Sequence, residues 1–91
     1  MKTRIREAER ILKALANKRR LAIVKYLRQE KEATVGDIAE AIKLSFKATS
    51  KHLGVLAQAD IVDKEQRSLS MWYRLSVSSG SLAEHISNSL E

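Results

Sequence analysis

Cysteine is missing from this chain, which removes disulfides, thiolate metal sites, thiol nucleophiles and thiol redox sensing at once. Proline is missing too, and glycine occurs only three times in 91 residues. No stretch therefore reads as a linker, and neither an internal repeat nor a low-complexity segment interrupts the chain. Long uncharged runs are also lacking. The longest, residues 75–83, is mostly serine and glycine, far from the ~18 apolar residues a membrane span requires. Residues 1–10 have no apolar core of the secretory kind, and Glu7 and Glu9 argue against a transit peptide, so the expectation is a cytoplasmic protein.

What is present fits a single domain over residues 1–91. A chain of this size buries only about 60–65% of its unfolded surface, so its core is thin and association with a second copy is a natural source of stability. The charge is unevenly placed. Residues 1–31 hold eleven basic and three acidic residues, a net +8, while the remainder sums to −2. Between Glu40 and Asp60 there is no acidic residue, and Lys43, Lys47 and Lys51 recur every fourth position. On a helix those lysines share one face. Net charge by itself draws a protein to any polyanion. A row of lysines opposite an apolar face is more specific.

Hydrophobic spacing sets the elements. Ile5, Ala8, Leu12 and Leu15 form the apolar stripe of a first helix. Asn17 stands as N-cap to a second, residues 18–29, which buries Leu21, Val24 and Leu27 with Ile23 and Tyr26 flanking. Thr34 caps a short third helix over residues 35–42, built on Val35, Ile38 and Ile42. Ser45 caps a fourth, about residues 46–58, with Phe46, Thr49, Leu53, Leu56 and Ala57 toward the core. Lys47, Lys51, Gly54 and Gln58 take the opposite side, with Ser50 at the margin. The period then shortens to two. Leu69, Met71, Tyr73 and Leu75 alternate with Ser70, Trp72 and Arg74 as a half-buried strand, paired with residues 61–65 through a turn at Gln66, Arg67 and Ser68. From Ser79 onward a last helix carries Leu82, Ile86 and Leu90.

Two helices joined by a short turn, the second with a basic face and a hairpin after it, describe a winged helix-turn-helix. The expected fold is mainly α, about five helices plus a two-stranded wing. The major groove of DNA admits one helix, and the helix packed before it sets the angle of entry. Lys47, one turn nearer the helix start than Lys51, is the better placed for base edges. Ser45 and Ser50 suit phosphate, although Ser45 serves equally as a cap. Thr49 is open to core packing or to a thymine methyl, and His52 to packing or to a phosphate. Arg67, at the hairpin turn, would be attracted by the minor groove. Trp72 reads as partly packed.

These segments carry a family resemblance. Residues 12–21 (LKALANKRRL), 35–42 (VGDIAEAI), 44–56 (LSFKATSKHLGVL) and 72–75 (WYRL) resemble the successive motifs of ArsR-type bacterial repressors over roughly residues 11–75. The resemblance implies a homodimer on double-stranded DNA that represses transcription from an inverted repeat, its first and last helices forming the dimer interface. The stripes Ile5/Ala8/Leu12/Leu15 and Leu82/Ile86/Leu90 independently need cover. The sequence departs from the family pattern in three places. Asp60 stands where a glycine usually ends the recognition helix, Gly54 replaces a usual lysine, and the wing turn lacks its common glycine.

No metal and no cofactor is expected. The thiol pair of metal-sensing relatives has no counterpart near Val35 to Asp37. In the last helix only Glu84 and His85 remain, and as neighbours they point about 100° apart. An enzyme is not expected either, because no glycine-rich phosphate loop, Gly-x-Ser-x-Gly elbow or nucleophile–base pair is in evidence. The competing class is a winged-helix module that binds protein, or one that binds DNA without regard to sequence. A protein-docking helix would carry apolar or acidic residues where Lys47, Ser50 and Lys51 stand.

Overall fold

The computed structural model describes residues 3–77 and 80–91. Its elements are α1 (Ile5–Leu15), α2 (Lys18–Glu30), β1 (Glu32–Thr34), α3 (Val35–Ile42), α4 (Phe46–Gln58), β2 (Val62–Arg67), β3 (Ser70–Leu75) and α5 (Gly80–Ser89). Three helices begin at the caps the sequence marks. The Asn17 side chain accepts from the amides of Arg19 and Arg20, Thr34 from that of Asp37, and Ser45 from that of Ala48. Ser79, where the last helix was expected to start, lies outside the described residues.

The helix ends are unusual. α3 closes with the amide of Leu44 donating to the carbonyl of Ala39 and that of Lys43 to Glu40, with Lys43 in the left-handed region at φ 56°. α4 closes the same way, Ile61 to Leu56 and Asp60 to Ala57, with Asp60 at φ 60°. Both are the Schellman pattern that favours glycine. Asp60 thus takes up the geometry of the missing glycine, and its carboxylate meets Arg10 at 3.3 Å. The apolar contact that accompanies such a cap is supplied by Ile61 and Leu56, both buried.

Helix α2 runs through the middle of the core. Ile23, Val24 and Leu27 are buried, and around them pack Ile11, Ala14 and Leu15 of α1, Ile38 of α3, Leu53 and Leu56 of α4, and Tyr73 of β3. Leu21, expected to be central, is only partly buried, and Ile23, placed on the flank, is fully buried. The Arg28 guanidinium leaves α2 to donate to the carbonyls of Ser87 and Leu90, 2.8 Å each, and so closes the free end of α5.

The sheet has three antiparallel strands in the order β1-β3-β2, one more than the expected hairpin. β1 pairs Glu32 with Arg74, Ala33 with Tyr73 and Thr34 with Trp72, fastening the base of the wing to the helix-turn-helix unit. The hairpin is longer than the sequence suggested. β2 and β3 pair from Val62/Leu75 to Arg67/Ser70, leaving a two-residue loop of Ser68 and Leu69 with Ser68 at φ 56°. Arg67 therefore ends a strand rather than sitting in the turn. Leu69, expected on the inward face, is 98% exposed at the tip.

Candidate nucleic-acid interface

Helix α4 supplies the surface. Ser45 is exposed, and its hydroxyl caps the helix by accepting from Ala48 at 3.1 Å, which leaves its own O–H able to donate. Beyond it Lys47, Ser50 and Lys51 are exposed, and neither lysine is paired with a carboxylate among the described residues. Gly54 and Gln58 continue the same exposed side. The amides that open α4 add partial positive charge.

One open choice of the sequence reading closes, for Thr49, and one placement differs from it, that of Phe46. Thr49 is completely buried, so it packs in the core and has no route to a base, and its hydroxyl finds no partner among the described residues. Phe46, expected in the core, is 63% exposed and stays outside the core cluster. As the first helical residue it stands before the turn whose side chains meet α2 and α3, and its Cβ points back toward the helix start. The signal was available, since a residue directly after a cap has no preceding turn to pack on.

His52 settles between the two roles the sequence left open. The ring is half-buried, and the Arg20 guanidinium lies 3.2 Å from Nδ1. Arginine can only donate, so Nδ1 accepts and the proton of the neutral ring resides on Nε2. Burial, then the charges of Arg20, Arg19 and Lys51, hold the imidazole below its ordinary 6.5. The same guanidinium donates through Nε to the Ala14 carbonyl and through Nη2 to that of Lys13, closing the end of α1. One arginine thus joins α1, α2 and α4. It also shows what composition alone did not, that the start of α2 brings Arg19 and Arg20 beside α4.

The wing is electrically self-contained. Glu32, Glu65, Arg67, Trp72 and Arg74 share one face of the sheet by register. Arg67 donates to both oxygens of Glu32, at 2.9 and 2.8 Å, and to Glu65 at 2.9 Å, while Arg74 reaches Glu65 at 3.2 Å. The Arg67 guanidinium also lies 5.1 Å from the centre of the Trp72 ring. Hydrogen bonds from Arg67 hold the carboxyls of Glu32 and Glu65 below the usual carboxylate range, and those same bonds raise the pKa of Arg67. Two carboxylates match two guanidiniums, so Arg67 is not the free cation at a hairpin tip that the sequence suggested.

The expected association surfaces are divided. On α1, Ile5 is 89% and Leu12 48% exposed, and Ala8 is partly so. Leu15 is 3% exposed and belongs to the chain's own core with Ile11 and Ala14, which leaves it almost no area for a second copy. Leu82 and Ile86 of α5 are half-buried against the edge of the core. Among the described residues, no group of three or more His, Cys, Asp or Glu could hold a metal, and no helix is long and apolar enough to cross a membrane.

Residues 17–64 match the family described as bacterial regulatory protein, arsR family. The chain is similar to the transcriptional activator HlyU of Vibrio cholerae serotype O1, 36% identical over 66 residues, which are 72% of this chain and 60% of HlyU. The match thus spans less than two thirds of that relative's length. A solved homodimeric winged helix-turn-helix DNA-binding domain from Mycobacterium bovis, a possible ArsR-family transcriptional regulator, is 30% identical. Its TM-score is 0.77, over 92% of this chain and 71% of that one. The transcriptional repressor BigR from Xylella fastidiosa is 29% identical with a TM-score of 0.76, over 91% and 82%.

Proposed function

Since this chain belongs to the arsR family of bacterial regulatory proteins, we propose that it is a cytoplasmic homodimeric repressor that binds an inverted-repeat operator in double-stranded DNA. The observation that carries the reading is the outer face of α4, where Lys47 and Lys51 stand exposed and unpaired among the described residues, with no acid between Glu40 and Asp60. Two copies related by a two-fold axis place two such helices in successive major grooves, roughly 34 Å apart. Lys47 meets base edges, while Lys51 and Ser50 meet phosphate. His52 contributes as a neutral donor through Nε2, because Arg20 holds its other nitrogen. Arg67 contacts the minor groove only by exchanging Glu32 and Glu65 for phosphate, so the wing adds shape before it adds charge. Residues 1–91 work as one DNA-binding domain, with Ile5, Ala8 and Leu12 of α1 and Leu82 and Ile86 of α5 covering their counterparts in the second copy. Repression requires only that this dimer occupy a promoter.

The test is a selection of random duplex DNA on the purified protein at near-physiological salt. Enrichment of an inverted repeat with half-sites about one helical turn apart supports the reading. Sequence-blind binding that fades with salt would leave the basic charge acting alone. No binding at all would bring forward a protein-docking module.

A further inference from the structure

Two apolar side chains of α4, Phe46 and Val55, stand exposed outside the core cluster, and Phe46 is the more exposed of the two. It is 63% exposed and takes no part in the core cluster, although it is the bulkiest apolar residue of the helix. An aromatic ring left in water at this place has a restricted choice of partner. Lys47 follows it directly, Lys43 closes the preceding helix three residues earlier, and no carboxylate occurs between Glu40 and Asp60. The partner must therefore present a small apolar spot inside a strongly anionic rim. The major groove of DNA has that chemistry wherever a thymine 5-methyl group projects between the two rows of phosphates.

The neighbouring side chains narrow the role further. The Ser45 hydroxyl accepts from the Ala48 amide and keeps its own proton for a phosphate, Thr49 is buried, and the outward positions of the first turn are Phe46 and Lys47. The N-terminal residues of a recognition helix are the ones that reach base edges. We infer that Phe46 reads sequence by packing its ring on the 5-methyl group of one thymine in each half-site. The inference rests on the DNA-binding reading above and adds what that reading lacks, a base identity. Lys47 then reads the acceptors of a nearby guanine, so each half-site contains a thymine and a guanine in close succession.

Deoxyuridine differs from thymidine in this methyl group alone, which makes the test direct. Each thymine of the selected site is replaced singly by deoxyuridine, and binding of the full chain and of Phe46→Ala is followed by fluorescence anisotropy at one salt concentration. One thymine per half-site should cost the unaltered protein about fourfold in affinity, the value of about one buried methyl group. Phe46→Ala should bind the thymine site more weakly and be indifferent to that replacement. Because Phe46 lies outside the core, the variant's helical circular dichroism should match that of the unaltered protein. If a defined site is selected yet no deoxyuridine matters, or if both proteins lose equally at the same position, the methyl reading by Phe46 is wrong and base reading by α4 survives. If no sequence is enriched, both fall.

Discussion

His52 shows how one contact decides the state of a side chain. Arg20 has no lone pair to offer, so its approach to Nδ1 requires a neutral ring, and burial with three nearby cations lowers the imidazole pKa in the folded protein. In the unfolded chain the same group titrates near its ordinary 6.5. Between the lowered value and 6.5 the unfolded state therefore binds more protons, and stability must rise with pH there. The stabilisation is complete above the unfolded pKa and is lost as pH falls through the folded one. His52→Asn keeps an acceptor near the Nδ1 position and does not titrate. Thermal melts from about pH 7 to about pH 5 should show the unaltered protein losing midpoint temperature more steeply than this variant. Parallel curves would assign the pH dependence to other groups.

At the scale of the element, α4 carries a correctable weakness. Gly54 is exposed within the helix, and a Cβ built there meets nothing within 4 Å. Gly54→Ala should stabilise the protein by about 1 kcal/mol through helix propensity and a less flexible unfolded chain. That corresponds to a rise of roughly 4–8 °C in Tm for a domain of this size, measured by circular dichroism. An unchanged Tm would mean that the helix is strained at this point. What the sequence revealed about such elements depended on the kind of signal each one had. Asn17, Thr34 and Ser45 announced their helices because a short polar side chain before an apolar period has one common use. β1 gave no warning, since three residues are too few to display alternation. In α1 two apolar stripes overlap, Ile5/Ala8/Leu12/Leu15 and Ile11/Ala14/Leu15, and only tertiary packing selects the second for the core. The tip of the wing was misplaced because Ser68 takes a positive φ without being glycine, and no letter of the sequence marks that. In the candidate site, exposure of Lys47 and Lys51 followed from periodicity. So did the core side of Thr49, whereas the pairing of Arg67 with Glu32 depended on a neighbour distant in sequence.

For the molecule as a whole, the residues without cover inside one chain point to what lies next to it. Ile5 and Leu12 remain exposed on α1 while the adjoining side of the same helix is sealed into the core. Leu12→Asp places an unpaired charge on that outer face and should split a dimer into monomers of 10.3 kDa by light scattering, with helical content kept because Leu12 is not part of the core. A mass that does not change would move the association surface elsewhere. The guanidinium of Arg20 then acquires a second meaning. It grips the carbonyls that end α1 and the imidazole of α4, so the helix proposed to meet a second copy and the helix proposed to meet DNA share one fixed point. On the proposed reading, self-association and DNA binding would be linked equilibria through that point, and by reciprocity any factor by which DNA tightened the pairing of two copies would be the factor by which pairing tightened the hold on DNA.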